Sequence, residues 1–381
     1  MDKIKPKELL KNQLKDFGLI TGVPCSYFKG MINASINSGR YVSAVDEGAA
    51  VAIATGYQIA SGKKALVLMQ NSGIGNAISP LTSLNYVFRE PITLMVSQRG
   101  GENDEPQHEL MGNIDTTLLN TCSVKTKPIS DIIDKPIEFD SDKESVAYMV
   151  PKGTFEMVDI EEQNRNYDSF QQRQVWEPIK SELLQRQEVI NNIYKTVESL
   201  SHSLIYKYVF IATTGYTGRE LWAMHDSEHN LYMVGSMGCA LPLAIGMAFG
   251  DPNLHVYVID GDGAMLMRTG SMATAGYRKP KNLIHILLDN QAYATTGKQS
   301  TDSKYVDWTN IAKGFGYEYI ADINSISSIK DILTTQALYD LLTFIHIPIQ
   351  SGNADVGRPD KKPWEVKERL INYIRNKYKI V

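Results

Sequence analysis

The stretch GDGAMLMRTGSMATAGYRKPKNLIHILLDN, Gly261 to Asn290, decides the fold of this chain. It begins directly after HVYVID (His255–Asp260), an apolar run of strand length, and runs through a second one, LIHILLD (Leu283–Asp289). A glycine turn and a segment of helical length join the two. Strands joined in this way lie parallel in one sheet. Asp262, between its glycines, has little room to pack and can face whatever sits at the strand ends. From Gly263, 26 residues of helix and strand lead to Asn290. That length returns the chain to the same sheet edge one unit later. Asp262 and Asn290 then offer two hard oxygen ligands suited to Mg²⁺ holding a phosphate. Read as structure alone, Asp262 is a helix N-cap and Asn290 a turn residue, and spacing by itself leaves both readings open.

The same rhythm extends outward. YVFIAT (Tyr208–Thr213) reads as another strand of this half. In the N-terminal half, KALVLMQ (Lys64–Gln70) and PITLMVSQ (Pro91–Gln98) read as strands, with helical length over Gly75–Phe88 between them. Glu47–Ser61 has the small-residue composition of a closely packed helix, and Gly62 is placed to end it. Between the halves the pattern weakens: from about Asp159 to Arg186 the chain is polar, Gln-rich and without apolar rhythm. The expected organisation is an α/β domain over residues 1–160, a linker over 161–186 with some helix at its end, and a second α/β domain over 187–381. Each domain is a mostly parallel sheet with helices on both faces.

Composition narrows the function classes. Of 381 residues, 43% are hydrophobic and 22% charged, an ordinary globular balance that excludes a disordered or collagenous chain. A net charge of −4 gives no reason to expect nucleic-acid binding. No apolar run reaches the ~20 residues of a membrane helix. The charged N-terminal stretch has no signal-peptide core, so the expected location is cytoplasmic. Cys25, Cys122 and Cys239 are too few and too scattered for a disulfide framework, a cysteine zinc site or an iron–sulfur cluster. The turns Gly73-Ile74-Gly75 and Gly261-Asp262-Gly263 could admit a phosphate at a helix start. Ile78 and Leu266 stand where a dinucleotide fingerprint needs a third small residue, which argues against a NAD enzyme.

Gly-Asp-Gly followed after about two dozen residues by Asn resembles the motif of thiamin-diphosphate-dependent enzymes. VGSMGCALPLAIGMAFG (Val234–Gly250) resembles the stretch that supplies their hydrophobic wedge, and VDEGAAVAIATGYQIASG (Val45–Gly62) the helix start bearing their glutamate. VPCSYFKGMIN (Val23–Asn33), QNSGIGNAISPLTSL (Gln70–Leu84), SQRGGENDEPQHELMG (Ser97–Gly112), ATTGYTGREL (Ala212–Leu221) and DNQAYATTGKQST (Asp289–Thr301) narrow the resemblance to the phosphonopyruvate decarboxylases. The sulfopyruvate decarboxylases are the nearest alternative by pattern. Asp104–His108 (DEPQH) favours the phosphonopyruvate branch, whereas Asp289-Asn290-Gln291-Ala292-Tyr293 and Lys298 depart from the wording of some of its members.

The resemblance implies roles residue by residue. The pyrimidine-binding domain comes first and the diphosphate-binding domain second. Glu47 would bond the cofactor's pyrimidine and be catalytic. Asp262, Asn290 and the carbonyl of Ala292 would hold Mg²⁺. Gly261, Gly263, Ala264, Thr214 and Gly215 would meet the diphosphate, and Met237 would support the bent cofactor. Asn71, Ser72, Arg99 and Lys298 are candidates for the substrate, and His108 for proton transfer or anion binding. The substrate implied is a small 2-oxo acid bearing a phosphonate, decarboxylated to phosphonoacetaldehyde and CO₂ in phosphonate biosynthesis. The assembly implied is a homodimer or higher homo-oligomer with sites at the subunit interface.

Overall fold

Lys64–Gln70 is a strand, as its sequence predicts, and its central residues are buried without alternation. Continuous burial of this kind requires cover on both faces, the situation of a parallel sheet. In the computed structural model, which describes residues 3–102, 104–133, 144–161, 172–177, 183–352 and 354–376, the chain divides into two compact units, Met1–Asp168 and Ser169–Val381.

In the first unit, β1 (Phe17–Gly22), β2 (Tyr41–Ser43), β3 (Lys64–Gln70), β4 (Thr93–Ser97), β5 (Val124–Pro128) and β6 (Ser145–Val150) form one sheet. Its order is β2-β1-β3-β4-β6-β5, and every pairing is parallel. The chain leaves β1 in one direction to β2 and returns on its other side to β3. A crevice therefore opens between the C-terminal ends of β1 and β3, where such sheets bind ligands. The Glu47–Ser61 helix starts after β2. Asp46 caps it by accepting from Ala49 N–H at 2.8 Å, and Gly62 ends it at φ 68°. Small residues let this helix sit almost wholly buried. The helix expected at Gly75–Phe88 begins as Ile74–Pro80, widens through a π-helical turn at Leu81–Asn85 and finishes at Tyr86–Phe88. Pro80, without an N–H, accounts for the loosened turn.

In the second unit, β7 (Arg173–Trp176), β8 (Lys207–Ala212), β9 (Asn230–Tyr232), β10 (Leu254–Gly261), β11 (Leu283–Asp289), β14 (Tyr319–Asp322) and β15 (Thr343–Pro348) form the second sheet; a short antiparallel ribbon, β12 (Ala292–Tyr293) with β13 (Gln299–Ser300), follows β11. The sheet order is β7-β14-β15-β11-β10-β8-β9, again parallel throughout. The chain reverses direction between β8 and β10, which makes the second crevice. β7 corrects the expected linker. Residues within 161–186 pair with β14, Arg173 opposite Tyr319 and Trp176 opposite Asp322. Residues 162–171 and 178–182 lie outside the described ones.

His346, on β15, sits between two aspartates, with Nδ1 3.0 Å from Asp322 Oδ1 and Nε2 3.3 Å from Asp289 Oδ2. Burial alone would lower its pKa; the bonds to Asp289 and Asp322 outweigh that and raise it to about 9. A raised histidine pKa stabilises the fold fully below the unfolded value near 6.5 and loses that contribution as pH rises through about 9. We expect the free energy of unfolding of the parent to fall by about 3 kcal/mol between pH 6 and 10 from this group. In His346→Gln that slope should flatten in urea titrations across the same pH range; an unchanged slope would assign the loss to other groups. Among the described residues no helix is long and apolar enough to cross a membrane.

Candidate active site

Each crevice carries one set of functional side chains. In the first unit, Glu47 is the opening residue of its helix and is 8% exposed. Its Oε2 accepts from Asn76 Nδ2 at 2.8 Å. Its side chain lies across Gly73, just beyond β3: a Cβ built on Gly73 would stand 2.2 Å from Glu47 Oε1. A glycine there is the condition for the carboxylate's placement. Gly73→Ala should therefore fold but swing Glu47 away. We expect a loss of turnover on the order of 10²-fold, the low range for losing a general acid–base group, with a melting temperature close to the parent's. A variant as active as the parent would show that the placement of Glu47 does not matter.

Beyond β3 and β4, the substrate candidates separate. Ser72 Oγ lies 2.8 Å from His108 Nδ1, and His108 is 7% exposed at the end of the Pro106–His108 turn. Asn71 is fully buried and donates to the carbonyl of Arg99 at 2.8 Å and to Asp115 Oδ2 at 3.2 Å. These two bonds pin the loop that follows β4, while the buried Oδ1 of Asn71 has no hydrogen-bond partner. The Arg99 guanidinium forms a fork with Asp104, Nε to Oδ2 at 2.8 Å and Nη2 to Oδ1 at 2.5 Å, and also donates to Glu105 at 3.1 Å. Asp104 further accepts from Gly100 N–H and the Tyr27 hydroxyl. The guanidinium holds the Asp104 carboxyl well below the usual carboxylate range, and Asp104 in turn raises Arg99. The two-pronged face of Arg99 proposed for a phosphonate is thus occupied by Asp104.

In the second unit, Gly261 ends β10, and Asp262 begins the short Asp262–Met267 helix with Gly261, not Asp262, as its N-cap. Asp262 is 2% exposed and accepts from the Thr301 hydroxyl. Burial raises its pKa to about 6, the Thr301 bond opposing that rise and the Asp289 charge adding to it. Asn290 follows β11, the direct neighbour of β10. The Asn290 side-chain oxygen stands 3.1 Å from both Asp262 Oδ1 and the Ala292 carbonyl, and its nitrogen faces Arg186 Nη2 at 3.3 Å. Two arrangements suit these positions. The amide can turn, so that its nitrogen donates to both oxygens. Alternatively a cation lies among the three oxygens. Neighbouring oxygens of an Mg²⁺ octahedron lie about 2.9 Å apart, close to this spacing. The donor set of one carboxylate, one amide and one carbonyl fits a hard cation. Among the described residues no group of three or more His, Cys, Asp and Glu side chains could hold a metal, so any metal here needs such a mixed set.

Thr214, Gly215, Met237, Gly261, Gly263, Ala264, Asn290 and Ala292 line one cavity with Asp262. Gly215 (φ 103°) opens the Tyr216–His225 helix. Gly263 leaves room for Tyr293, whose ring a Cβ would meet at 2.4 Å. Met237 lies not within the apolar helix but in the turn ahead of Ala240–Gly250, between Ser236 at φ 50° and Gly238 at φ 86°. Such a turn presents the side chain, here half-buried, to the cavity. Lys298 is exposed at φ 63° on the β12–β13 turn. Sequence reasoning missed Asn76, Gln70, Thr301 and Arg186. No spacing rule marks them, because each reaches its site from a separate element.

Comparison with known proteins adds to this geometry. The family described as thiamine pyrophosphate enzyme, N-terminal TPP binding domain, matches residues 7–119, and the corresponding C-terminal TPP binding domain matches 214–347. A phosphonopyruvate decarboxylase of Streptomyces viridochromogenes is 34% identical over 93% of this chain and 91% of its own. A sulfopyruvate decarboxylase of Methanosarcina acetivorans is 26% identical over 96% of this chain and 97% of its own. Among solved structures, a thiamine diphosphate-dependent 4-hydroxybenzoylformate decarboxylase of Rhodococcus jostii superposes with a TM-score of 0.71 at 14% identity, covering 92% of this chain and 99% of that one. At that identity the likeness is one of fold.

Proposed function

This chain belongs to the thiamine pyrophosphate enzymes, within the phosphonopyruvate decarboxylase family, and from that premise we propose that it converts 3-phosphonopyruvate to phosphonoacetaldehyde and CO₂ with Mg²⁺ and thiamin diphosphate. One observation carries the choice of substrate: the match to a phosphonopyruvate decarboxylase spans nine-tenths of both chains at 34% identity, whereas the equally long match to a sulfopyruvate decarboxylase reaches 26%.

Thiamin diphosphate held in this site would supply an electron sink for the departing carboxylate. Asp262, Asn290 and the Ala292 carbonyl would hold Mg²⁺ with the diphosphate oxygens. Thr214, Gly215, Gly263 and Ala264 line the same cavity, and Met237 would support the rings from its turn. Glu47 would accept and return a proton at the pyrimidine ring, held in place by Asn76. Burial makes these electrostatic contacts stronger than they are in water. For the substrate, His108, Ser72 and Lys298 remain the groups to meet carboxylate and phosphonate. Arg99 contributes through the loop it braces with Asp104.

Large apolar side chains stand exposed beside both sets: Leu110 (70%) and Ile114 (36%) after His108, and Val234 (48%) and Met267 (61%) around Met237 and Asp262. They support a homo-oligomer whose subunits cover these faces. The test of the whole reading is CO₂ release from phosphonopyruvate, sulfopyruvate and pyruvate, each with and without thiamin diphosphate and Mg²⁺. Preference for phosphonopyruvate that vanishes without cofactor is the expected result. Preference for sulfopyruvate would overturn the substrate, and release from none would overturn the decarboxylase.

A further inference from the structure

We propose that Gln70 is a positioning residue that fixes His108 as a neutral imidazole with its proton on Nε2, making it a hydrogen-bond donor and not a proton shuttle. The donor role rests on the reading above that His108 meets the substrate; the tautomer does not.

The argument starts at Cys25, which is buried beyond β1. Its Sγ lies 3.2 Å from Ser97 Oγ and donates to Gln70 Oε1 at 3.6 Å. A thiol proton facing the amide oxygen sets the orientation of the Gln70 amide. Gln70 Nε2 is then turned toward Ser72 Oγ at 3.1 Å and His108 Nδ1 at 3.2 Å. An amide nitrogen donates and has no lone pair to offer. His108 Nδ1 must therefore accept, and the Ser72 hydroxyl, 2.8 Å away, can donate to it while accepting from Gln70. The single proton of the neutral ring is left to Nε2. That atom faces Glu105 Oε2 at 3.3 Å, a carboxylate that can only accept. One assignment thus satisfies Cys25, Gln70, Ser72, His108 and Glu105 together. A proton on Nδ1 would set one N–H against the N–H₂ of Gln70 and make both compete for the Ser72 oxygen, 2.8 Å from Nδ1 and 3.1 Å from Gln70 Nε2.

The chemical consequence concerns which step His108 serves. A neutral Nε2–H offers a hydrogen bond to an anionic oxygen of the substrate without changing its own charge. Glu105 is 62% exposed and also accepts from Arg99, so it can release His108 when such an oxygen arrives.

The test is ¹⁵N NMR of the full-length protein carrying labelled histidine, with the His108 signals assigned by comparison with His108→Gln. The parent should show a protonated Nε2 and an unprotonated Nδ1 at pH 8. Gln70→Glu replaces the donor by an acceptor, so the proton should move to Nδ1, and Gln70→Ala should give a mixture of the two tautomers. A parent spectrum with the proton on Nδ1 would overturn the proposal; so would Gln70→Glu leaving the tautomer unchanged. The kinetic arm separates the two layers. We expect Gln70→Glu to lower kcat at least tenfold on phosphonopyruvate with thiamin diphosphate affinity retained. His108→Gln turning over as fast as the parent would sink the donor role, while the spectrum still decides the tautomer.

Discussion

Replacing Glu47 by Gln should lower kcat by 10² to 10⁴-fold, about the range contributed by a positioned general acid–base group, while the protein stays folded and still binds thiamin diphosphate. The substitution is nearly isosteric, so packing against Gly73 is kept and the new amide oxygen can still accept from Asn76. What is lost is the capacity to hold a proton. The expected split, a large fall in turnover with little change in cofactor affinity, distinguishes a proton-handling group from a merely structural one. Circular dichroism and cofactor titration check the second half, and CO₂ release under saturating cofactor the first. Turnover within threefold of the parent would remove Glu47 from the chemistry.

The second large effect is expected at Asp262. Asp262→Asn keeps the shape and the partner Thr301 but takes the only carboxylate out of the set formed by Asp262, Asn290 and the Ala292 carbonyl. Losing a partner beyond the direct ligands of a metal typically costs 10–100-fold in affinity, so losing a charged ligand should weaken Mg²⁺-dependent binding of thiamin diphosphate by at least about 10²-fold. Without metal the effect on folding should have the opposite sign. The Asp262 carboxyl is buried and its pKa is raised, so its charge is a burden on the fold once pH exceeds about 6. The variant should thus melt no lower than the parent in EDTA at pH 8, yet gain less stability when Mg²⁺ and cofactor are added. Differential scanning calorimetry with and without both reads the two effects. Parent-like stabilisation by Mg²⁺ and cofactor would place the metal elsewhere.

Much of this was legible in the sequence, for a physical reason. Buried parallel strands are short continuous apolar runs, and Lys64–Gln70 and Leu283–Asp289 have the bounds in the structure that they have on paper. Asp262 and Asn290 could be paired because a β–helix–β unit has a nearly fixed length. Contacts that depend on where a side chain turns were not legible. Asn71 and Ser72 are adjacent, yet one is buried under the loop after β4 and the other is exposed beside His108. Arg99 carries a charge suited to a phosphonate, but its partner comes five residues later, and only folding shows that the fork is closed. Met237 belongs to an apolar segment, yet the turn that presents it depends on positive φ at Ser236 and Gly238. β7 escaped because an edge strand buries little and needs no apolar run.

That edge strand has a consequence for how the protein is made. Beside β7, Gln172 bonds the Tyr317 carbonyl across 145 residues of chain, and β7 itself docks on β14. At a synthesis rate of roughly 5–20 residues per second, β7 leaves the ribosome on the order of 10 seconds or more before its partner exists. An apolar strand waiting that long with open N–H and C=O groups would invite pairing with other nascent chains. Arg173 and Gln174, within a polar and Gln-rich approach, let this segment wait in water. The polar half of β7 and the Gln-rich approach that hid the strand from view also limit the apolar surface it holds out while it waits.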